Sequence, residues 1–230
     1  MFYNKCDDTP RQVRKIKSTR RSISGSYVFK GESAIQFESS LERDFLIRLE
    51  FNLSVLDVIP QPCEIPFIDR NGQARIYTPD FLVYYRIGDS TYENHMRPQL
   101  FEVKPEAHWR DNRRKWLPKW KAAYRYGKEK GWGFHIHDES RIRDQVYKNI
   151  RFLERYGQMY FSPEESEWVI QNIETKGAVS INRILARHFM GNYKSEGISH
   201  IWHLLATRKL DCDMSLPLSE NTELWVATND

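Results

Sequence analysis

The sequence predicts an α/β protein, with strands packed among helices, followed by a small winged-helix-like domain. Three observations predict it. Between residues 55 and 137, apolar runs of strand length are interleaved with stretches of 3.6-residue periodicity. After Tyr156-Gly157 the composition turns acidic. The acidic part then shows three short helical patterns and a hairpin pattern, which is the outline of a winged helix.

Each element follows from local chemistry. Residues 1–30 are poor in apolar groups and carry Lys5, Arg11, Arg14, Lys15, Lys17, Arg20, Arg21 and Lys30, so a basic arm is expected there. Ser39 caps a helix over about 39–51, with Glu42 in its first turn and Leu41, Phe45, Leu46 and Leu49 at helical spacing. Val55 to Val58 is a short β-branched strand ahead of Pro60. Cys63 to Ile68 and Ala74 to Tyr77 flank an Asn71-Gly72 turn and read as a hairpin. Phe81 to Ile87 is an apolar strand, Gly88 to Arg97 a polar loop, and Pro98 to Lys104 a strand stopped by Pro105. A basic helix is expected over 110–130, a strand over Trp132 to His137, and an amphipathic helix over 141–156. Ser162-Pro163 opens the next helix, Ser180 caps another, and Gly197 to Leu205 gives a third. Leu210 to Val226 alternates around Pro217 as a hairpin. The expected division is 1–30, 31–157 and 158–230, with the boundary near 157–163.

Composition excludes several classes. A mean hydropathy of −0.68 with 40% hydrophobic residues fits a folded globular chain. No run reaches the ~18 apolar residues of a membrane span, and residues 1–21 lack the apolar stretch of a secretory signal. Cys6, Cys63 and Cys212 are odd in number and widely spaced, so free thiols in a reducing cytoplasm are expected. The net charge of +4 is uneven: +8 over residues 1–153 and −4 over 154–230. The first part suits a polyanion and the second does not.

The chemistry lies between Asp80 and Lys104. Asp80 follows Pro79 at the head of an apolar strand, and Glu102 and Lys104 share one face of another. Val103 between them points into the core, leaving its carbonyl as a further oxygen ligand. Charged groups at such strands are costly unless they serve a ligand or one another. Hard oxygen donors suit Mg²⁺, one or two ions per site with Mn²⁺ as a substitute, and such ions drive phosphodiester hydrolysis. A nearby lysine adds positive charge for the transition state or orients the attacking water. Glu42 is the candidate fourth member.

The pattern Thr78-Pro79-Asp80 with Glu102-Val103-Lys104 is the signature of the PD-(D/E)xK superfamily. The ordered blocks Ser40-Leu41-Glu42, Leu49-Glu50-Phe51, Ser54 to Val58, Thr78 to Val83 and Phe101 to Pro105 resemble the TnsA family over roughly residues 39–156. The resemblance implies a restriction-endonuclease-like mixed sheet flanked by helices. It implies a magnesium-dependent endonuclease subunit of a heteromeric transposase that cuts the 5′ strands of double-stranded DNA at transposon ends. It implies a DDE transposase partner (TnsB-like) and an AAA+ regulator (TnsC-like) held by the C-terminal domain. By position, Glu42, Asp80 and Glu102 match the metal-binding acids and Lys104 the catalytic lysine.

Arg110, Arg113, Arg114, Lys115, Lys119 and Lys121 form a basic stretch after the acids and are expected to contact DNA phosphates. The paired histidines, His135 with His137 and His200 with His203, lack cysteine or acid partners at zinc spacing and are expected to pack ordinarily. Two other readings remain open on residues alone: a non-catalytic DNA-binding module on the same scaffold, and a stand-alone restriction or repair nuclease.

Overall fold

A computed structural model describes residues 10–13, 23–88, 95–189 and 194–228. Residues 1–9 and 14–22, most of the expected basic arm, lie outside the described residues, as do 89–94 of the expected polar loop. The end of the arm is corrected. Gly25–Phe29 (β1) is a strand, paired antiparallel with Ser33–Phe37 (β2), and Phe29 and Ile35 are buried. The alternation there is short and interrupted by Lys30-Gly31, where both residues take positive φ in the turn.

The first compact unit ends at Ile142. Its centre is a four-stranded mixed sheet in the order β3-β6-β7-β8. These strands are Val55–Pro60 (β3), Phe81–Tyr85 (β6), Gln99–Val103 (β7) and Gly133–His137 (β8). β6 pairs antiparallel with both β3 and β7, and β8 lies parallel to β7. β3 runs on through Pro60, which pairs with Phe81, two residues beyond the expected end. An edge strand tolerates proline because one side of it has no ladder to lose.

Period-two alternation sorts the core into two layers. Phe81, Val83, Phe101 and Val103 face Leu41, Phe45, Leu46 and Leu49 of α1 (Ser40–Phe51). Leu82 and Leu100 face the opposite way, toward Ala122 and Ala123 of α2 (Glu106–Lys130) and toward Ile65 and Tyr77. The last two belong to a separate hairpin, Ile65–Ile68 (β4) with Ala74–Tyr77 (β5). Its turn is built on Asp69, whose carboxylate accepts the N–H of Asn71 and of Gln73 at 2.9 and 3.0 Å, with Gly72 at φ +77°. Helix α2 starts at Glu106, four residues before the expected start, and carries Pro118 in its interior.

The second unit spans Arg143–Asn229. The composition shift placed the boundary near 157–163, but the compact unit begins earlier. The reason is packing: Gln145–Gly157 (α4) buries Ile150 and Leu153 and lies against Lys194–Ala206 (α7). The expected helix over 141–156 is two elements, Glu139–Ile142 (α3) and α4. Between α4 and α7 lie Pro163–Lys176 (α5), Val179–Ser180 (β9) and Ile181–His188 (α6). Leu210–Cys212 (β10) and Glu223–Val226 (β11) form the expected antiparallel pair, and β9 adds to it in the order β10-β11-β9. Among the described residues no helix is long and apolar enough to cross a membrane.

Candidate active site

Strand pairing brings the two acids together. Phe81 pairs with Phe101, so Asp80 and Glu102 stand at the next step of the same ladder. Both have the parity of Leu82 and Leu100, which puts them on the α2 side of the sheet. Lys104 shares that parity and follows the end of β7, where its N–H donates to the His137 carbonyl at 3.1 Å.

The ammonium of Lys104 links the group. It donates to Asp80 Oδ2 at 3.0 Å and Oδ1 at 3.3 Å, to the Val103 carbonyl at 3.1 Å, and lies 3.9 Å from Glu102 Oε1. The Val103 N–H donates to Asp80 Oδ2 at 2.7 Å. The oxygens of Asp80, Glu102 and Val103 therefore converge on one position that a positive charge already occupies. Burial is the largest influence on Asp80 and pushes its pKa up to about 7. Lys104 and the Val103 N–H oppose that rise, while Glu102 and Glu42 add to it. Burial alone would lower the Lys104 pKa, but attraction to Asp80, Glu102 and Glu42 outweighs it and the net change is upward.

Glu102 is 1% exposed and satisfied on both oxygens. Tyr77 donates its hydroxyl to Oε2 at 2.6 Å, and Lys119 donates to Oε1 at 2.8 Å. Lys119 is itself enclosed: its ammonium sits 4.6 Å from the ring centre of Tyr77 and 4.7 Å from that of Trp116. Sequence reasoning missed Tyr77 altogether and expected Lys119 to contact DNA without its bond to Glu102. Strand parity carries no information about which helix residue meets a strand residue across the layer.

Glu42 arrives from the α1 layer. Ser39 caps the helix through the Glu42 N–H at 3.1 Å, and Glu42 reaches back to the Glu38 N–H at 2.7 Å. Burial raises its pKa, and Lys104 pulls it the other way. The structure thus places Glu42 within electrostatic reach of Lys104 and Asp80 while its oxygens serve the helix end.

Among the described residues no group of three or more His, Cys, Asp and Glu side chains is placed to hold a metal ion. The convergent donors are two carboxylates and a peptide carbonyl, with Glu42 engaged in its own cap. That set still fits a hard divalent cation, because all three donors are oxygen and already embrace an ammonium.

The six basic residues expected to contact DNA are spread along α2. Arg110 pairs with Glu106 one turn back. Arg113 and Lys121 line a groove of about 850 Å³ with Trp109, Trp120 and Phe134. Arg114, Lys115 and Lys119 line a cleft of about 700 Å³ against the β4–β5 hairpin. The histidines pack as expected: His137 lies edge-on to Phe101 at 4.9 Å, and His200 stacks on Phe161 at 4.4 Å and bonds Ser166 Oγ at 2.8 Å. Cys63 and Cys212 are buried free thiols, and Cys6 lies outside the described residues.

Residues 52–139 match the family model described as TnsA-like endonuclease N terminal. Residues 141–214 match the one described as TnsA endonuclease C terminal. The two matches meet beside Ile142, where the compact units divide, and Glu42 precedes the first of them. A comparison with curated proteins gave no match.

Proposed function

We propose, from the premise that this chain belongs to the TnsA endonuclease family, that it cuts the 5′ strands at transposon ends as the metal-dependent nuclease subunit of a heteromeric transposase. The observation that carries this reading is the convergence of Asp80, Glu102 and the Val103 carbonyl on the Lys104 ammonium. Asp80, Glu102 and the Val103 carbonyl would hold Mg²⁺, with Mn²⁺ as a substitute and Glu42 as an outer acid. When bound, the cation supplies acidified water and neutralises charge on the phosphate. The protein's own groups do the rest. Lys104 leaves the shared position and turns its charge to the phosphoryl oxygens or the attacking water. Tyr77 and Lys119 hold the Glu102 carboxylate in a fixed orientation. Burial of Glu102 keeps bulk water from competing for its oxygens.

The partners on this reading are duplex DNA at the transposon ends, a DDE transposase for the 3′ strands, and an AAA+ regulator. The second unit, with helices α4 to α7 and a three-stranded sheet, is the seat for the regulator on this reading. It lacks the basic excess of the first part, with 10 Lys+Arg against 11 Asp+Glu over residues 143–229, which suits a protein surface better than DNA. The test is to incubate the chain with its partner transposase, the transposon-end DNA and Mg²⁺, and to map cuts on both strands. Nicks on the 5′ strands are expected to vanish with Asp80→Ala or Lys104→Ala while the 3′ cuts remain. Unchanged 5′ nicks in both variants would remove these residues from the reaction.

A further inference from the structure

The cleft between α2 and the β4–β5 hairpin and the groove around Arg113 are both lined by an excess of cations. The groove holds Arg113, Lys121, Arg125 and Arg141 against Asp138, among Trp109, Leu117, Trp120 and Phe134. The cleft is lined by five cations, Arg70, Arg75, Arg114, Lys115 and Lys119, against two carboxylates, Asp69 and Asp111. Arg75 bonds Asp69 at 3.2 Å, and Lys119 is taken by Glu102. Arg70, Arg114 and Lys115 are exposed and have no ion-pair partner among the described residues. Against the one remaining carboxylate, Asp111, these three cations leave the depression with an excess of positive charge, so the arrangement favours an anion that spans them.

The inner end of the cleft identifies the anion. Lys119 lines the cleft and also donates to Glu102 at 2.8 Å, so the cation wall is continuous with the carboxylate cluster. An acidic peptide would satisfy Arg70 and Lys115 equally, but it gives no reason for the wall to end on Glu102. A polyanion with a phosphate that must reach Glu102 does. We propose that this cleft carries the sugar–phosphate backbone of the strand to be cut, with Arg70 and Arg114–Lys115 as outer phosphate contacts and Lys119 as the innermost one. The proposal rests on the nuclease reading above and adds the hairpin, through Arg70, to the DNA surface.

The geometry also assigns Arg113 and Arg114 opposite fates, although they are adjacent. One lines the groove and the other the cleft that ends on Glu102, as successive positions on a helix must diverge. That gives an internal control. Binding of the full-length chain to a fluorescent duplex is measured without divalent cation over a range of salt concentrations. Each lost phosphate contact lowers the slope of log affinity against log salt by roughly one. Arg70→Ala, Arg114→Ala and Lys115→Ala are expected each to lower it by about that amount, and Arg113→Ala to leave it unchanged. Lys119→Met is expected to lower it and Lys119→Arg to restore it, and an unchanged slope in Lys119→Met with a lowered melting midpoint would leave Lys119 a structural partner of Glu102 only. Equal effects of Arg113→Ala and Arg114→Ala, or unaltered slopes in all the cleft variants, overturn the cleft assignment while the nuclease reading stands. Unaltered duplex binding with lost binding of polyglutamate hands the cleft to an acidic protein and overturns it likewise. A wild-type chain that binds no duplex even at low salt overturns both.

Discussion

Asp80 holds the most informative charge in the molecule. Its carboxyl, raised to about 7 chiefly by burial, keeps a proton that an unfolded aspartate with a pKa of 3.8 would release. Between those two values the folded state binds the extra proton, so this group makes the fold less stable as pH rises through the window. The same proton must leave before an oxygen ligates a cation. Cation affinity is therefore expected to fall by up to roughly tenfold for each pH unit below about 7, and Asp80→Asn should flatten the dependence along with weakening binding. Calorimetric titration of Mn²⁺ into the full chain at pH 8, 7 and 6 checks this. An affinity constant across that range would contradict it. Asp80, Glu102 and Lys104 were legible in the sequence because a strand writes its two faces as alternate residues. Tyr77 and Lys119 were not, because each meets Glu102 through a contact between layers that no spacing records.

At the scale of elements, capping decides where Glu42 stands. Ser39 accepts the Glu42 N–H and donates its hydroxyl to Glu42 Oε1 at 3.0 Å. Ser39→Ala removes both and is expected to cost about 1 kcal/mol in chemical denaturation, with Ser39→Thr recovering most of it. A loss below a few tenths would show that the α1 packing, not the cap, fixes the helix end. The helices and strands were readable where one strong pattern ran to a clear stop, as at Ser39 or at Pro105. They were misjudged where the stop lay in tertiary context. Pro60 reads as a strand breaker in isolation but sits harmlessly on an edge strand. The stretch 141–156 reads as one amphipathic helix, yet the Asp144 side chain caps Tyr147 N–H at 3.1 Å and starts a new one.

At the scale of the whole molecule, each unit carries its own core. The second buries Ile173, Ile181, Ile201, Leu204 and Leu205 at 0% exposure, and the first buries Leu46, Val55, Leu82 and Leu100 likewise. Leu204→Ala is expected to cost the second unit about 2–5 kcal/mol. The cation affinity of the carboxylate cluster should not change, since none of its ligands comes from residues after 142. Parallel loss of cation affinity and of stability in that variant would contradict the assignment of the site to one unit. The charge contrast between the two parts was visible from composition. The division point was not, because α4 is basic by sequence yet belongs by packing to the acidic part.

Lys119 has one more consequence. Its ammonium rests 4.7 Å from the indole centre of Trp116, with Trp120 at 5.9 Å from that ring. The excited state of an indole is sensitive to a charge so close, and it registers when that charge departs. The protein thus carries an intrinsic optical gauge beside its carboxylates. Movement of Lys119 away from Glu102 is expected to alter the emission of Trp116, a change that Trp116→Phe should remove from the signal of the seven tryptophans.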